Sequence, residues 1–288
     1  MNYYLISTSH LKDDIWFRDE EDFKVGMNYV AVLANERTAF VLCFVLMSNH
    51  VHFVVACDAE DQARAFITKY KNLYARYYRN RYGKGEFLRR NKVDIKRLEI
   101  NDESLLRGIA YVLMNPPAAN ICQHASQYTW GSGGCYFRQD KPTGSRLGDK
   151  SWREQCRLLH SKSHIHPEYL LSPSGFVLPD SYVSSGFVEK LFRKPGRLNY
   201  FLRSSSKARA KKEAGTNLIP TFKDQLVVAA VPDICNTLFE KSDANSLTER
   251  EKARLVAELH RRFSSDIRQI ARLTGFGEHD IIHWLEDF

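Results

Sequence analysis

The sequence is short of three things. Its six cysteines, Cys43, Cys57, Cys122, Cys135, Cys156 and Cys235, include no Cys-x-x-Cys pair. That excludes a cysteine zinc finger and a disulfide framework, and the thiols read as reduced. No apolar run approaches the roughly 20 residues a membrane span requires. The first residues, MNYYLISTSHLKDD, lack a basic stretch followed by an apolar one, so no export signal is expected and a cytoplasmic location is. Acid is also scarce: 34 Asp and Glu stand against 42 Lys and Arg, a net charge of +8 with a pI near 9.1. A basic balance points to an anionic partner. What is present is globular, since 43% hydrophobic and 12% aromatic residues exclude disorder as the main state. The 288 residues leave room for a catalytic-sized domain and something smaller.

The positive charge is concentrated. Residues 61–100 hold twelve Lys or Arg against four acids, an excess equal to that of the whole chain. Tyr70, Tyr74, Tyr77, Tyr78, Tyr82 and Phe87 are interleaved with these cations. Cations neutralise phosphates and aromatic faces stack on unpaired bases, so the mixture suits single-stranded or distorted nucleic acid. The candidate DNA contacts are Lys69, Lys71, Arg76, Arg79, Arg81, Arg89 and Arg90. The plainer alternative is a solvated basic helix with its aromatics in the core.

Thr38 to Val55, TAFVLCFVLMSNHVHFVV, organises the rest. Two apolar runs of strand composition are joined by Ser48-Asn49, which predicts a buried hairpin. On a strand the side chains alternate, so His50 and His52 share one face with Val51 on the other. Two adjacent imidazoles make half of a metal site. Around the hairpin the periodicity predicts a strand over 3–9, a helix over 19–35, a basic helix from Glu60 to about Tyr82 and a fourth strand over 93–100. That order, β-α-β-β-α-β, is the plan of a ferredoxin-like sheet with helices on one side.

A further helix is predicted over 101–114, with Asn101 or Asp102 as its cap and Pro116-Pro117 as its stop. Opposite its apolar stripe, Ser104, Gly108, Tyr111 and Asn115 fall at helical spacing. Gly108 costs a helix about 1 kcal/mol relative to Ala, which predicts a close approach of something bulky there.

Several segments together resemble a known family. Leu46-Met47-Ser48-Asn49-His50-Val51-His52 resembles the signature of single-tyrosine HUH transposases, with Ser48 where that signature usually has proline. Tyr111-Val112-Leu113-Met114-Asn115-Pro116 is similar to the tyrosine helix of REP-associated tyrosine transposases, Tyr128-Thr129-Trp130-Gly131-Ser132 to the segment that follows it, and Tyr74 to Phe87 to the stretch between. The resemblance covers about residues 1–140. It implies an α+β, ferredoxin-like HUH catalytic domain, Tyr111 as nucleophile, and His50 and His52 as ligands of Mg²⁺ or Mn²⁺, with Asn115 able to complete the site. The implied activity is metal-dependent cleavage and rejoining of single-stranded or hairpin DNA through a 5'-phosphotyrosine. A non-catalytic nucleic-acid-binding regulator of the same descent is the alternative, and a generic hydrolase a third.

The remainder is less informative. His164-Ile165-His166 lies among serines before Pro167, which is loop composition, and no metal role is expected there. Residues 141–215 read as a linker and helical middle region, with a basic run at Ser204–Lys212. Residues 216–288 read as a C-terminal helical domain, in which 263–287 resembles a helix-turn-helix with Glu278 to Asp287 as the candidate recognition helix.

Overall fold

The computed structural model describes residues 1–11, 14–140, 142–208, 224–263 and 265–286. Residues 209–212 of the basic run, Ser264 and Asp287 lie outside these, as does the side chain of Phe87.

The protein is α+β. Strands β1 (Asn2–Thr8), β2 (Phe40–Met47), β3 (His50–Cys57) and β4 (Val93–Leu98) form one antiparallel sheet in the order β2-β3-β1-β4. Helix α1 (Glu20–Asn35) joins β1 to β2; α2 (Glu60–Tyr82) and the short α3 (Glu86–Arg90) join β3 to β4. Asp19 caps α1 by accepting from Asp22 N at 3.0 Å, and Gly83 closes α2 in the left-handed conformation at φ 71°.

The hairpin strands β2 and β3 are buried along nearly their whole length, because each face of the sheet is covered. The alternation of β3 decides what meets what. Phe53 packs edge-on against Phe66 and Tyr70 of α2, so α1 and α2 lie on its face. His52 points the other way, to Tyr111 on α4 (Ser104–Leu113). The N-cap of α4 is Glu103 at φ 60°, not the expected Asn101 or Asp102, although Asp102 just before it accepts from Ser104 N at 2.8 Å. At its end Asn115-Pro116-Pro117 does not stop the chain outright but opens a further short turn, α5 (Asn115–Ala118).

The edge of β2 is sealed by the segment after α5. Leu46 N donates to Trp130 O and Ser132 N to Phe44 O, while the hydroxyls of Tyr128 and Tyr136 donate to Leu46 O and Leu42 O. The Tyr128 to Ser132 motif thus protects an edge strand.

Residues 142–208 do not form a linker. The strand pair β5 (Ser145–Arg146) and β6 (Leu170–Leu171), with α6 (Trp152–Leu159), α7 (Ser185–Phe192) and α8 (Pro195–Ser204), packs into the same core as the sheet. Asn28 ties them in through Leu158 O and Val177 N, and α8 lies on α4. A second core is built by α9 (Asp224–Phe239), α10 (Glu249–Phe263), α11 (Ile267–Thr274) and α12 (Glu278–Glu286). Gly275, at φ 78°, turns α11 into α12, where the sequence predicts the turn of a helix-turn-helix. Among the described residues no helix is long and apolar enough to cross a membrane.

Candidate metal centre

Antiparallel pairing sets Ser7 of β1 opposite His52 of β3, so the chain leaving β1 emerges beside His50. The loop that follows clasps the Ser48-Asn49 turn. Leu11 N donates to Asn49 O, and Trp16 N and Phe17 N donate to Ser48 O. This clasp carries His10 onto His50, with ring centroids 3.7 Å apart and planes 14° from parallel. The ligand nitrogens of His10, His50 and His52 all lie within 4.8 Å of one another. These three histidines could hold a metal ion.

His10 is the residue that sequence reasoning missed. Nothing near it in the chain marks it, for it stands forty residues before the His-x-His pair. The available signal was the pairing of β1 with β3, which returns the end of one strand to the start of the other.

The two buried imidazoles are oriented from behind. Nδ1 of His50 is 2.8 Å from Asn49 Oδ1, an atom that only accepts, so Nδ1 carries the proton and Nε2 the lone pair. Nδ1 of His52 is 2.8 Å from Ser7 Oγ, and when that oxygen accepts, the same tautomer follows. Both Nε2 atoms are buried without a hydrogen-bond partner. Buried polar atoms are rarely left so, and metal-ligating histidines are commonly held through their other nitrogen. The residues present therefore fit a divalent cation.

Burial, with the charge of Lys207 and the neighbouring histidines, drives the pKa of His50 well below its ordinary value. His52 is pushed down to about 3, chiefly by burial and then by Lys207. His10 falls by burial, Lys207 and Arg272. Neutral imidazoles meet a cation without competition from protons.

Asn115 is buried beside this pair. Its Nδ2 donates back to Tyr111 O at 2.9 Å and Val112 O at 3.2 Å, and its amide partly offsets the fall in both histidine pKa values without a well-formed bond to either Nε2. Tyr111 is half-buried, its ring 5.4 Å from that of His52 and edge-on to it at 79°. Burial raises its pKa, so the phenol is a weaker acid than in water. Lys207 Nζ lies 5.2 Å from the centre of the same ring.

Gly108 does not clear room for a visitor from outside. A Cβ there would stand 2.6 Å from Leu98 Cδ1, so the glycine admits the end of β4. The bulky group expected to approach Gly108 is therefore Leu98 of the protein itself.

The basic residues divide. Lys71 is buried, its ammonium donating to Asn91 O, and is no surface contact. Arg81 holds Asp19 at 2.6 Å and the fully buried Asp22 at 2.8 Å. Lys69 pairs with Glu36 and Arg90 with Glu86. Arg76, Arg79 and Arg89 are exposed and make no ion pair among the described residues. Tyr70, Tyr74, Tyr77 and Tyr78 are buried, so the aromatics between the cations belong to the core and not to a stacking surface. All of these residues lie on or beside α2, across the sheet from Tyr111, although α2 and α3 return to the end of the sheet where the histidines stand. His164 and His166 lie in a loop, the former stacked on Trp152 at 3.9 Å.

Beside His10 and His50 a cavity of about 260 Å³ reaches the C-terminal helices, bounded by Tyr128, Trp130, Asp224, Gln269 and Arg272. Ser48 Oγ donates to Asp224 Oδ2 at 2.5 Å, and Arg272 grips both oxygens of that carboxylate at 3.0 Å. No protein-family model, curated protein or solved structure matches this chain.

Proposed function

We propose that the protein is a metal-dependent single-strand DNA endonuclease and strand transferase of the single-tyrosine HUH type, with a ferredoxin-like catalytic domain. The observation that carries this is the pair of buried, unpartnered Nε2 atoms on His50 and His52, with Tyr111 edge-on to the second ring. The strand order β2-β3-β1-β4, with α1 and α2 on the far face, supports the fold reading.

His10, His50, His52 and Asn115 would hold the ion. Imidazole donors favour Mn²⁺ over Mg²⁺ on ligand preference, and also suit Zn²⁺. When bound, the ion would polarise a phosphoryl oxygen and offset the charge that develops there. Asn49 and Ser7 orient the two buried rings, and α4 sets Tyr111 beside them. The phenol oxygen attacks phosphorus, forming the Tyr111 phosphoester as the bond to the 3'-oxygen breaks. The phenol proton passes to solvent and the leaving oxygen takes one from it, giving a 3'-hydroxyl and a 5'-phosphotyrosine. The exposed arginines of α2 would then hold phosphates of a strand or hairpin that passes over the end of the sheet, and α11 with α12 would serve as a second DNA contact.

A labelled single-stranded oligonucleotide from DNA flanking the gene tests this on a denaturing gel. The full-length protein should form a covalent adduct that chelator, Tyr111→Phe and His50→Ala each remove. Cleavage without an adduct would make it a hydrolase, and binding without cleavage a regulator.

A further inference from the structure

Lys207 stands where the parts of the site described so far do not explain it. It follows α8 in a short turn that Ser205 fastens, with Ser205 Oγ donating to Leu202 O at 2.8 Å and accepting from Ala208 N at 3.2 Å. Helix α8 itself is packed on α4, so the turn is indexed to the helix that carries Tyr111. The ammonium lies 5.2 Å from the centre of the Tyr111 ring and is half-buried. Among the described residues it pairs with no carboxylate.

Its neighbours make the charge conspicuous. The Tyr111 ring that it faces is itself 5.4 Å from the His52 ring, so the ammonium and the histidines share one neighbour. Of the carboxylates lining the adjoining cavity, Asp224 is taken by Arg272 and Asp266 caps α11 by accepting from Gln269 N. The three histidines and Asn115 bring no negative charge, so a divalent ion among them would leave ion and ammonium uncompensated. A half-buried cation beside such an ion is favourable when an anion lies between them.

We propose that Lys207 is the phosphate-binding residue of this site, its Nζ donating to a non-bridging oxygen of the phosphodiester placed between Tyr111 and the three histidines. This rests on reading the histidines as a metal centre and Tyr111 as the group that meets the phosphate. A lysine serves here as a point charge with three donors and needs no fixed plane.

The test uses the full chain, Mn²⁺ and inorganic phosphate. Mn²⁺ affinity is measured first by calorimetry. Phosphate affinity is then read from the broadening of its ³¹P resonance by the bound ion. Lys207→Met and Lys207→Gln should bind Mn²⁺ at least as tightly as the wild type, since a like charge is removed, yet lose phosphate affinity by about ten- to a hundred-fold, the loss expected for one charge-assisted hydrogen bond. Lys207→Arg should recover most of it. The same variants should slow adduct formation on the labelled strand by a similar factor. Unchanged phosphate affinity in both variants, with Mn²⁺ bound, overturns the role of Lys207 and leaves the metal reading standing. Mn²⁺ bound without phosphate broadening in the wild type does the same. Absence of Mn²⁺ binding in the wild type overturns the metal reading and this inference with it.

Discussion

Gly108→Ala separates two accounts of the tyrosine helix. If Gly108 faces a substrate, a methyl group there blocks catalysis and leaves the fold alone. If it faces Leu98, the methyl group is an overpacking error inside the protein. The added Cβ would lie 2.6 Å from Leu98 Cδ1 and 3.5 Å from Cδ2, and Leu98 is itself buried. Separating the contacting atoms to an ordinary distance means moving a packed side chain or the helix by about 1 Å, which costs about 1–3 kcal/mol. Alanine in mid-helix returns about 1 kcal/mol. The expected net loss is therefore up to about 2 kcal/mol by denaturant unfolding. The decisive comparison is the cycle with Leu98→Ala. Leu98→Ala alone should cost about 2–5 kcal/mol for its lost contacts and cavity. With that cavity open, Gly108→Ala should become stabilising by about 1 kcal/mol, so its sign reverses. Were Gly108→Ala no more stabilising in the Leu98→Ala background than in the wild type while abolishing the DNA adduct, the packing account would be refuted.

Three other outcomes follow from the same geometry. For the metal-free protein, His52 binds its proton near pH 6.5 when unfolded and at about 3 when folded. The unfolded state therefore holds more protons between these values, and stability falls as pH drops, by about 2 kcal/mol at pH 5 from this residue alone. His52→Gln should flatten that dependence in denaturant titrations, and an equal slope in the variant would contradict the shift. Arg81→Ala strips the buried Asp22 of its cation while Tyr77, Tyr82 and the Arg18 amide still donate to it. The loss should be about 3 kcal/mol by the same assay, and one below about 1 kcal/mol would show the pair to be dispensable. Arg76→Ala with Arg79→Ala should lower the slope of log affinity against log salt for single-stranded DNA by about 1.4 while leaving Mn²⁺ binding intact. An unaltered slope would place the strand elsewhere.

The hairpin and the order of strands and helices were legible because both rest on local periodicity. Phe40 to Met47 and Val51 to Ala56 are apolar runs of strand length, and the polar pair Ser48-Asn49 between them reads as their turn. The shared face of His50 and His52 follows from the alternation of any strand. What periodicity cannot supply is the identity of the neighbour across a gap. Gly108 looked like a vacancy from within its helix, and only the path of β4 shows Leu98 filling it. Lys71 and Arg81 look like surface cations in a basic run. Their partners are Asn91, Asp19 and Asp22, which lie 20 to 62 residues away in the chain. The tyrosines of α2 were ambiguous for the same reason, since aromatics at helical spacing suit a core and a stacking surface equally. His10 and Lys207 reach the site from opposite sides of the sequence, one through strand pairing and the other through the packing of α8 on α4.

Ser48 shows how closely these parts depend on one turn. The resembled signature usually carries proline at this position, and proline would have no hydroxyl to offer. Here the backbone carbonyl of Ser48 receives Trp16 and Phe17, which holds the clasping loop, while the hydroxyl reaches Asp224 at the start of α9. Asp224 is in turn bound by Arg272 and Gln269 of α11, so one carboxylate joins the hairpin turn to two helices of the second core. The next residue, Asn49, orients His50. Two adjacent residues therefore fix the loop that bears His10, the tautomer of His50 and the seat of the C-terminal helices. Movement of those helices relative to the sheet would be felt at the histidine end of the hairpin, where Asp224 and Gln225 attach them to Ser48 and Phe17.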